Sequence, residues 1–296
     1  MEKIYNQASR VLVYLGEADD RSDRAMDAIA ERRTSTGAIQ KQVLEFFDNR
    51  PWFTRVWVLQ EVASATCALA ICGYKCVPWA NFPAWWAQNA ASLQDRLPPS
   101  ALAYNPVANK SLLEQLHGTR SSRASDPRDK VYALAAMSVG DRLIIEPNYG
   151  ESVASIYVDV AIKIIQHHRS LRILSAVQPL YGEQCNEFSG QLPSWVPNWS
   201  KESPLASFGL SNTYHEPYDA GGSIALTQVE NGNELFCYGV ELDVISEIGN
   251  VCPLETSGGD SIAQVLTEWN NLVSTSPAAT NIGLAYDRRS HGCLMN

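Results

Sequence analysis

The chain has 296 residues, 45% hydrophobic and 19% charged, with 8 Trp, 12 Tyr and a formal net charge of -9. That length supports a substantial packed core in one large domain or two. The acidic balance, with no run of Lys and Arg, gives a nucleic-acid backbone no electrostatic footing, and no apolar stretch reaches the roughly 18 to 20 residues a membrane span needs. The seven cysteines, at 67, 72, 76, 185, 237, 252 and 293, are odd in number and scattered, which speaks against a secreted disulfide framework. Residues 1–30 carry acids throughout instead of a basic start and an apolar core, so a cytoplasmic location is expected.

Residues 1–9 read as the tail of a helix, and Arg10–Gly16 is a short apolar run closed by glycine, the pattern of a buried parallel-type strand. Asp19–Arg33 is a charged helix whose Ala25, Met26, Ile29 and Ala30 keep helical spacing, and Ile39–Phe47 is a second helix. Arg50–Ala63 reads as one continuous helix: Asp48 or Asn49 caps it, Pro51 fits its first turn, and Trp52, Val56, Leu59 and Ala63 share a face, with Trp57 and Glu61 beside it. Thr66–Gly73 repeats the strand-then-glycine pattern, placing Cys67 and Cys72 in a buried strand and giving an α/β rhythm. Pro78-Trp79 opens a helix carrying Phe82, Trp85 and Trp86. Residues 93–110 form an exposed connection, and a helix through Leu112, Leu113 and Leu116 follows.

In Arg120–Ala135, Asp126 caps a helix, Pro127 takes its first position and Asp129 sits in its first turn, where the dipole favours an anion. Val153 to Ile165 is the cleanest amphipathic helix, ended by His167-His168. Leu192–Ser200 holds two prolines four apart and two tryptophans, and reads as a packed loop. Ile224–Val229 and Leu235–Val240 flank a Glu-Asn-Gly-Asn turn as a β-hairpin, and a helix near Ile262–Val273 precedes a fraying tail.

Seven pieces in order make this chain resemble the fungal heterokaryon-incompatibility (HET) domain family. They are Ile4–Gly16, Arg50–Glu61, Cys72-Gly73, Asp126–Leu134, Pro147–Tyr149, Leu192–Ser200 and Gly239–Ile245, and they span roughly residues 1–250. The resemblance implies an intracellular fungal protein that triggers cell death on non-self recognition, on a fold likened to the flavodoxin-like TIR domain. Two opening strand signatures of the family, one with an aromatic-Trp-Gly motif and one with a Cys-Ile-Asn-Gln motif, have no counterpart. The expectation is therefore an α/β fold with a partial flavodoxin/TIR-like sheet and a C-terminal β-hairpin region: residues 1–175 as a shortened HET-like α/β domain, and 176–296 as a Trp/Pro-rich loop, hairpin and helical extension. A sheet shorn of strands exposes apolar edges that call for repacking, a partner or self-association, or a new pocket.

An acid on a largely apolar helix wants a cation, so Glu61 is expected to meet Arg128 and Lys130 in an ion-pair network, mainly as a structural tie. Glu61, Arg128 and Asp129 are the weak catalytic candidates. Trp52, Arg55, Trp57, Lys130, Tyr132 and Trp195 are the candidate lining of a binding site, against the commoner reading that such aromatics simply pack. NAD cleavage on Glu61 lacks a visible second carboxylate and a nucleotide-binding glycine loop. The spacing of Cys67, Cys72 and Cys76 is poor for zinc, so neither a metal nor a cofactor is expected. Three readings compete: HET-type incompatibility signalling, a shortened HET scaffold repurposed as a cofactor-independent cyclase or isomerase acting on an apolar metabolite in fungal secondary metabolism, and a non-functional fragment.

Overall fold

The structure of the protein is a computed structural model. It describes residues 2–34, 37–93, 96–103, 110–135, 137–138, 143–177, 192–201, 227–230, 234–237, 267–269 and 271. The chain divides into two units, Met1–Tyr238 and Gly239–Asn296. In the second, residues 267–269 and 271 are helical; the rest of the helix expected at Ile262–Val273 and the Gly239–Ile245 piece lie outside the described residues.

The first unit is mixed α/β. It runs α1 (Glu2–Gln7), β1 (Val11–Tyr14), α2 (Asp20–Ala30), α3 (Gly37–Asp48), a 3₁₀ turn at Pro51–Thr54, α4 (Val58–Ala63), β2 (Ala68–Cys72), β3 (Lys75–Pro78) and α5 (Asn81–Asn89). Then come α6 (Ser100–Ala103), α7 (Leu112–Gly118), α8 (Asp129–Ala135), α9 (Val153–His168), a 3₁₀ turn at Arg172–Ala176, and the hairpin strands β4 (Thr227–Glu230) and β5 (Glu234–Cys237). Local chemistry sets several of these starts. The Asp19 carboxylate accepts from the Arg21 and Ser22 amides while Ser22 Oγ closes the reciprocal bond, capping α2. Ser111 and Glu114 form the same device on α7.

β1 pairs parallel with β2, Val11 opposite Ala68 through Tyr14 opposite Ile71, and β2 pairs antiparallel with β3. The two strand-closing glycines meet: Gly73 N–H donates to the Gly16 carbonyl at 3.0 Å. Both have positive φ, +103° at Gly16 and +54° at Gly73, and a side chain at Gly73 would collide with Ala18. One sheet face is buried. Val11, Val13, Ala70, Cys72 and Val77 join Ala25, Met26, Ile29, Val43, Phe46, Phe47, Phe82 and Trp85 in one core. Phe47 is its hub, with the Phe53, Trp86 and Trp85 rings at 5.0, 5.7 and 6.1 Å. A second core gathers α4, α7, α8, α9 and the 192–200 loop around Leu59, Leu112, Val131, Tyr157, Ile164 and Trp199. Trp52 and Trp79 flank both cores.

Four local expectations change. Within residues 93–110, read as an exposed connection, Ser100–Ala103 is the helix α6, with Ala101 and Leu102 buried in the protein's cores. Arg50–Ala63 is not one helix: after the 3₁₀ turn, Arg55 is extended (φ -81°, ψ 136°) and bridges Arg123 in parallel, and only then does α4 begin. Lys75–Pro78, part of it read as a helix start, is the edge strand β3, with Pro78 at its end where a missing N–H is harmless. Cys67 is exposed and precedes β2, while Cys72 is buried within it.

Candidate functional site

The Asp126–Ala135 stretch lies at the centre of a polar knot. The Asp126 carboxylate accepts from the Arg128 amide at 2.9 Å and from its guanidinium, Nη2 to Oδ2 at 2.7 Å, so a two-residue turn fixes the arginine before α8 starts. Arg128 Nη1 then donates to the Tyr149 and Glu151 carbonyls, both at 2.7 Å, and the guanidinium lies 5.2 Å over the Tyr149 ring. Tyr149 O–H donates to Asp129 Oδ1 at 2.6 Å, and its ring meets that of Tyr132 edge-on at 5.2 Å. Tyr132 O–H donates to the Asn148 carbonyl and accepts from the Asn148 amide. On the far side, Tyr157 O–H donates to the Pro127 carbonyl at 2.8 Å and lies 2.7 Å from Ser200 Oγ, fastening the Trp-rich loop to the same turn.

The electrostatics follow. The hydrogen bonds from Arg128 hold the Asp126 carboxyl below the ordinary carboxylate range, and the same contact raises Arg128. Burial, reinforced by the Asp129 contact, pushes the Tyr149 phenol up, and burial does the same to Tyr157. Arg120, 3% exposed, is pulled down to about 10 by burial. Its Nη2 donates to the Ala176 carbonyl at 2.6 Å and its guanidinium lies 5.0 Å over Trp199. Lys130, two residues beyond Arg128, is buried and gives its ammonium to the Arg120 and Ser122 carbonyls.

A groove of about 550 Å³ opens beside the knot, lined in part by Asn148, Glu151, Ser155, Asp159 and Lys163. Asn148 and Glu151 belong to both features, so Arg128 positions part of the groove wall. The lining is polar and carries Glu146, Glu151, Asp159 and Lys163. Among the described residues no group of three His, Cys, Asp or Glu side chains gathers as a metal would require.

The expected residues separate into two places. Arg128, Asp129 and Tyr132 meet around Tyr149. Glu61, Trp52 and Arg55 gather elsewhere: Glu61 accepts from the Trp52 indole at 3.3 Å, and burial, then Glu61, raises the Tyr5 phenol while Arg55 opposes it. Trp57 flanks the second core, and Trp195 is buried in it. The ion-pair network from Glu61 to Arg128 and Lys130 is not formed. Its place is taken by main-chain pairing, Val56 N–H to the Arg123 carbonyl at 2.9 Å and Arg123 N–H to Thr54, and by buried Gln60, whose amide donates to the Ala133 carbonyl at 3.0 Å. Backbone groups must be satisfied on burial, and here they use the cations and amides that a carboxylate would otherwise have taken. Asn148, Glu151, Arg120 and the Tyr157–Ser200 pair were not singled out from sequence as site residues. Of these, Asn148 and Ser200 carried a signal, through the places of Pro147–Tyr149 and Leu192–Ser200 in the family order.

Comparison with known proteins bears on this arrangement. Residues 1–61 match the family model described as Heterokaryon incompatibility protein (HET). The chain is also 25% identical over 281 residues to Heterokaryon incompatibility protein 6, OR allele, of Neurospora crassa, with 68% of this chain and 41% of the relative covered. The chain is similar to the heterokaryon-incompatibility family, and the model match lies in its first 61 residues. The chain spans about two fifths of the length of that relative. The family match takes in β1, α2, α3 and most of the Arg50–Ala63 stretch, and ends at Glu61. No solved structure matches it. Among the described residues, no helix is long and apolar enough to cross a membrane.

Proposed function

We propose that this chain acts inside a fungal cell in heterokaryon incompatibility, as part of a cell-death response to non-self. The observation that carries the reading is the family match over residues 1–61, joined by a Neurospora relative whose name places it in heterokaryon incompatibility. The parallel β1–β2 pair, connected through helices, is compatible with part of a flavodoxin/TIR-like sheet, and we infer that relationship on this topology and the family resemblance. The cyclase or isomerase reading has no comparable support. The groove is lined with charged and polar groups, and the aromatics such an enzyme would use, Trp52, Trp57 and Trp195, pack in or against the protein's cores.

Inducible expression of the chain in a filamentous fungus, scored by vital-dye entry into hyphal compartments, tests the proposal. Dye uptake and growth arrest on induction are expected, and are expected to be lost in Arg128→Ala. Normal growth while the chain accumulates, as seen by immunoblot, overturns it.

A further inference from the structure

Among the described residues, the strand β1 carries an open edge and an apolar outer face at the same place. Val11 N–H donates to the Cys67 carbonyl and Leu15 N–H to the Ile71 carbonyl, each at 2.8 Å. In a parallel pair, residues alternate in the side to which both their N–H and C=O point, so Val11, Val13 and Leu15 face β2. The N–H and C=O of Leu12 and Tyr14 therefore point outward, and β1 is the terminal strand in the order β1-β2-β3. Their side chains are 59% and 56% exposed, next to half-buried Leu69 and Ile71 in register on β2. Sheets with parallel strands ordinarily bury both faces, and open edges with apolar side chains invite pairing.

We propose that this edge is a self-association site, where β1 of a second copy of the chain docks antiparallel about a two-fold axis at Val13. That register sets Leu12 opposite the partner's Tyr14 and Tyr14 opposite the partner's Leu12. Both are hydrogen-bonded pairs, so four main-chain bonds satisfy every outward N–H and C=O of Leu12 and Tyr14 in both copies. Directly opposed residues share a face, so each leucine packs on a tyrosine. The charges agree with this direction. Exposed Arg10 precedes the strand, and Glu17 follows it with its carboxylate drawn to the Tyr14 hydroxyl at 2.5 Å. Antiparallel pairing brings Arg10 alongside the partner's Tyr14 and Glu17 at both ends, whereas parallel pairing would set Arg10 beside the partner's Arg10. A contact of one four-residue strand falls in the class of small, transient interfaces, below about 1,200 Å². The dimer is reversible and concentration-dependent.

Sedimentation velocity of the full chain over rising micromolar concentration tests this, with circular dichroism confirming that each variant is folded. The wild type is expected to shift from monomer to dimer. Leu12→Lys is expected to abolish the shift, and Arg10→Glu and Glu17→Arg each to weaken it about tenfold or more. The double exchange Arg10→Glu with Glu17→Arg is expected to restore it, because the swapped charges again face each other. Hydrogen exchange gives a second readout: the Leu12 and Tyr14 amides gain protection with concentration, while Val11 and Val13 are protected throughout. A wild-type chain that stays monomeric overturns the proposal and leaves the edge to a partner of different sequence. A dimer indifferent to Leu12→Lys, or a double exchange no better than either single one, also overturns it.

Discussion

Arg128 joins four elements of the polar knot through one planar group: the Asp126 turn, two carbonyls of the 149–151 loop, and the Tyr149 ring. Lysine cannot reproduce a fork of that shape. Arg128→Ala is expected to lower the thermal midpoint measurably, and Arg128→Lys to recover only part of the loss, as followed by circular dichroism. Asp126 links the same contact to pH. Its folded-state pKa is depressed below the ordinary 3.8, so its stabilisation is complete above that value and is lost as pH falls through the lower folded value. Urea titrations from about pH 5 down to about pH 2 should therefore show wild type losing stability more steeply than Asp126→Asn, the two curves converging at the acid end. Core residues set a larger scale: Leu59, wholly buried, should cost about 2–5 kcal/mol when changed to alanine, read from the same titrations.

At the level of elements, glycine placement does what local patterning suggests. Gly73 closes β2 at φ +54° and packs against Ala18. Gly73→Ala adds a left-handed penalty of roughly 1–2 kcal/mol before any steric displacement, so a midpoint shift in denaturant at least that large is expected. The elements legible in the sequence were those whose cause is local: the glycine-closed strands, the amphipathic run of α9, the loop stiffened by Pro193 and Pro197. What stayed hidden has non-local causes. Arg50–Ala63 keeps helical spacing, yet Thr54–Val56 pairs with Arg123, which no window of adjacent residues contains. Lys130 and Glu61 looked like complementary charges, but Lys130 turns to the carbonyls of a turn ten residues upstream. The knot shows the same limit. Asp126, Arg128 and Asp129 stand out as a motif, whereas Asn148, Glu151 and Ser200 become site residues only through folding of distant segments.

For the first unit as a whole, the two cores are contiguous through a pair of indoles, Trp52 and Trp79, whose rings meet at 5.1 Å. That contact couples the β-sheet half to the helical half, and tryptophan fluorescence and far-UV circular dichroism should report one coincident transition for it. Trp52→Ala removes the link along with the indole's bond to Glu61, and is expected to cost roughly 3 kcal/mol and to separate the two probes' midpoints. A single unchanged transition in that variant would show that the cores are coupled by other means. Lys130 adds a chemical clock to the same molecule. The residue is 6% exposed and its amine is bound to main-chain oxygens, whereas Lys41 and Lys163 lie nearer the surface. An acylating reagent applied to the native chain should therefore mark those two lysines within minutes and leave Lys130 unmodified, so the appearance of acylated Lys130 in a peptide digest timestamps the opening of α8.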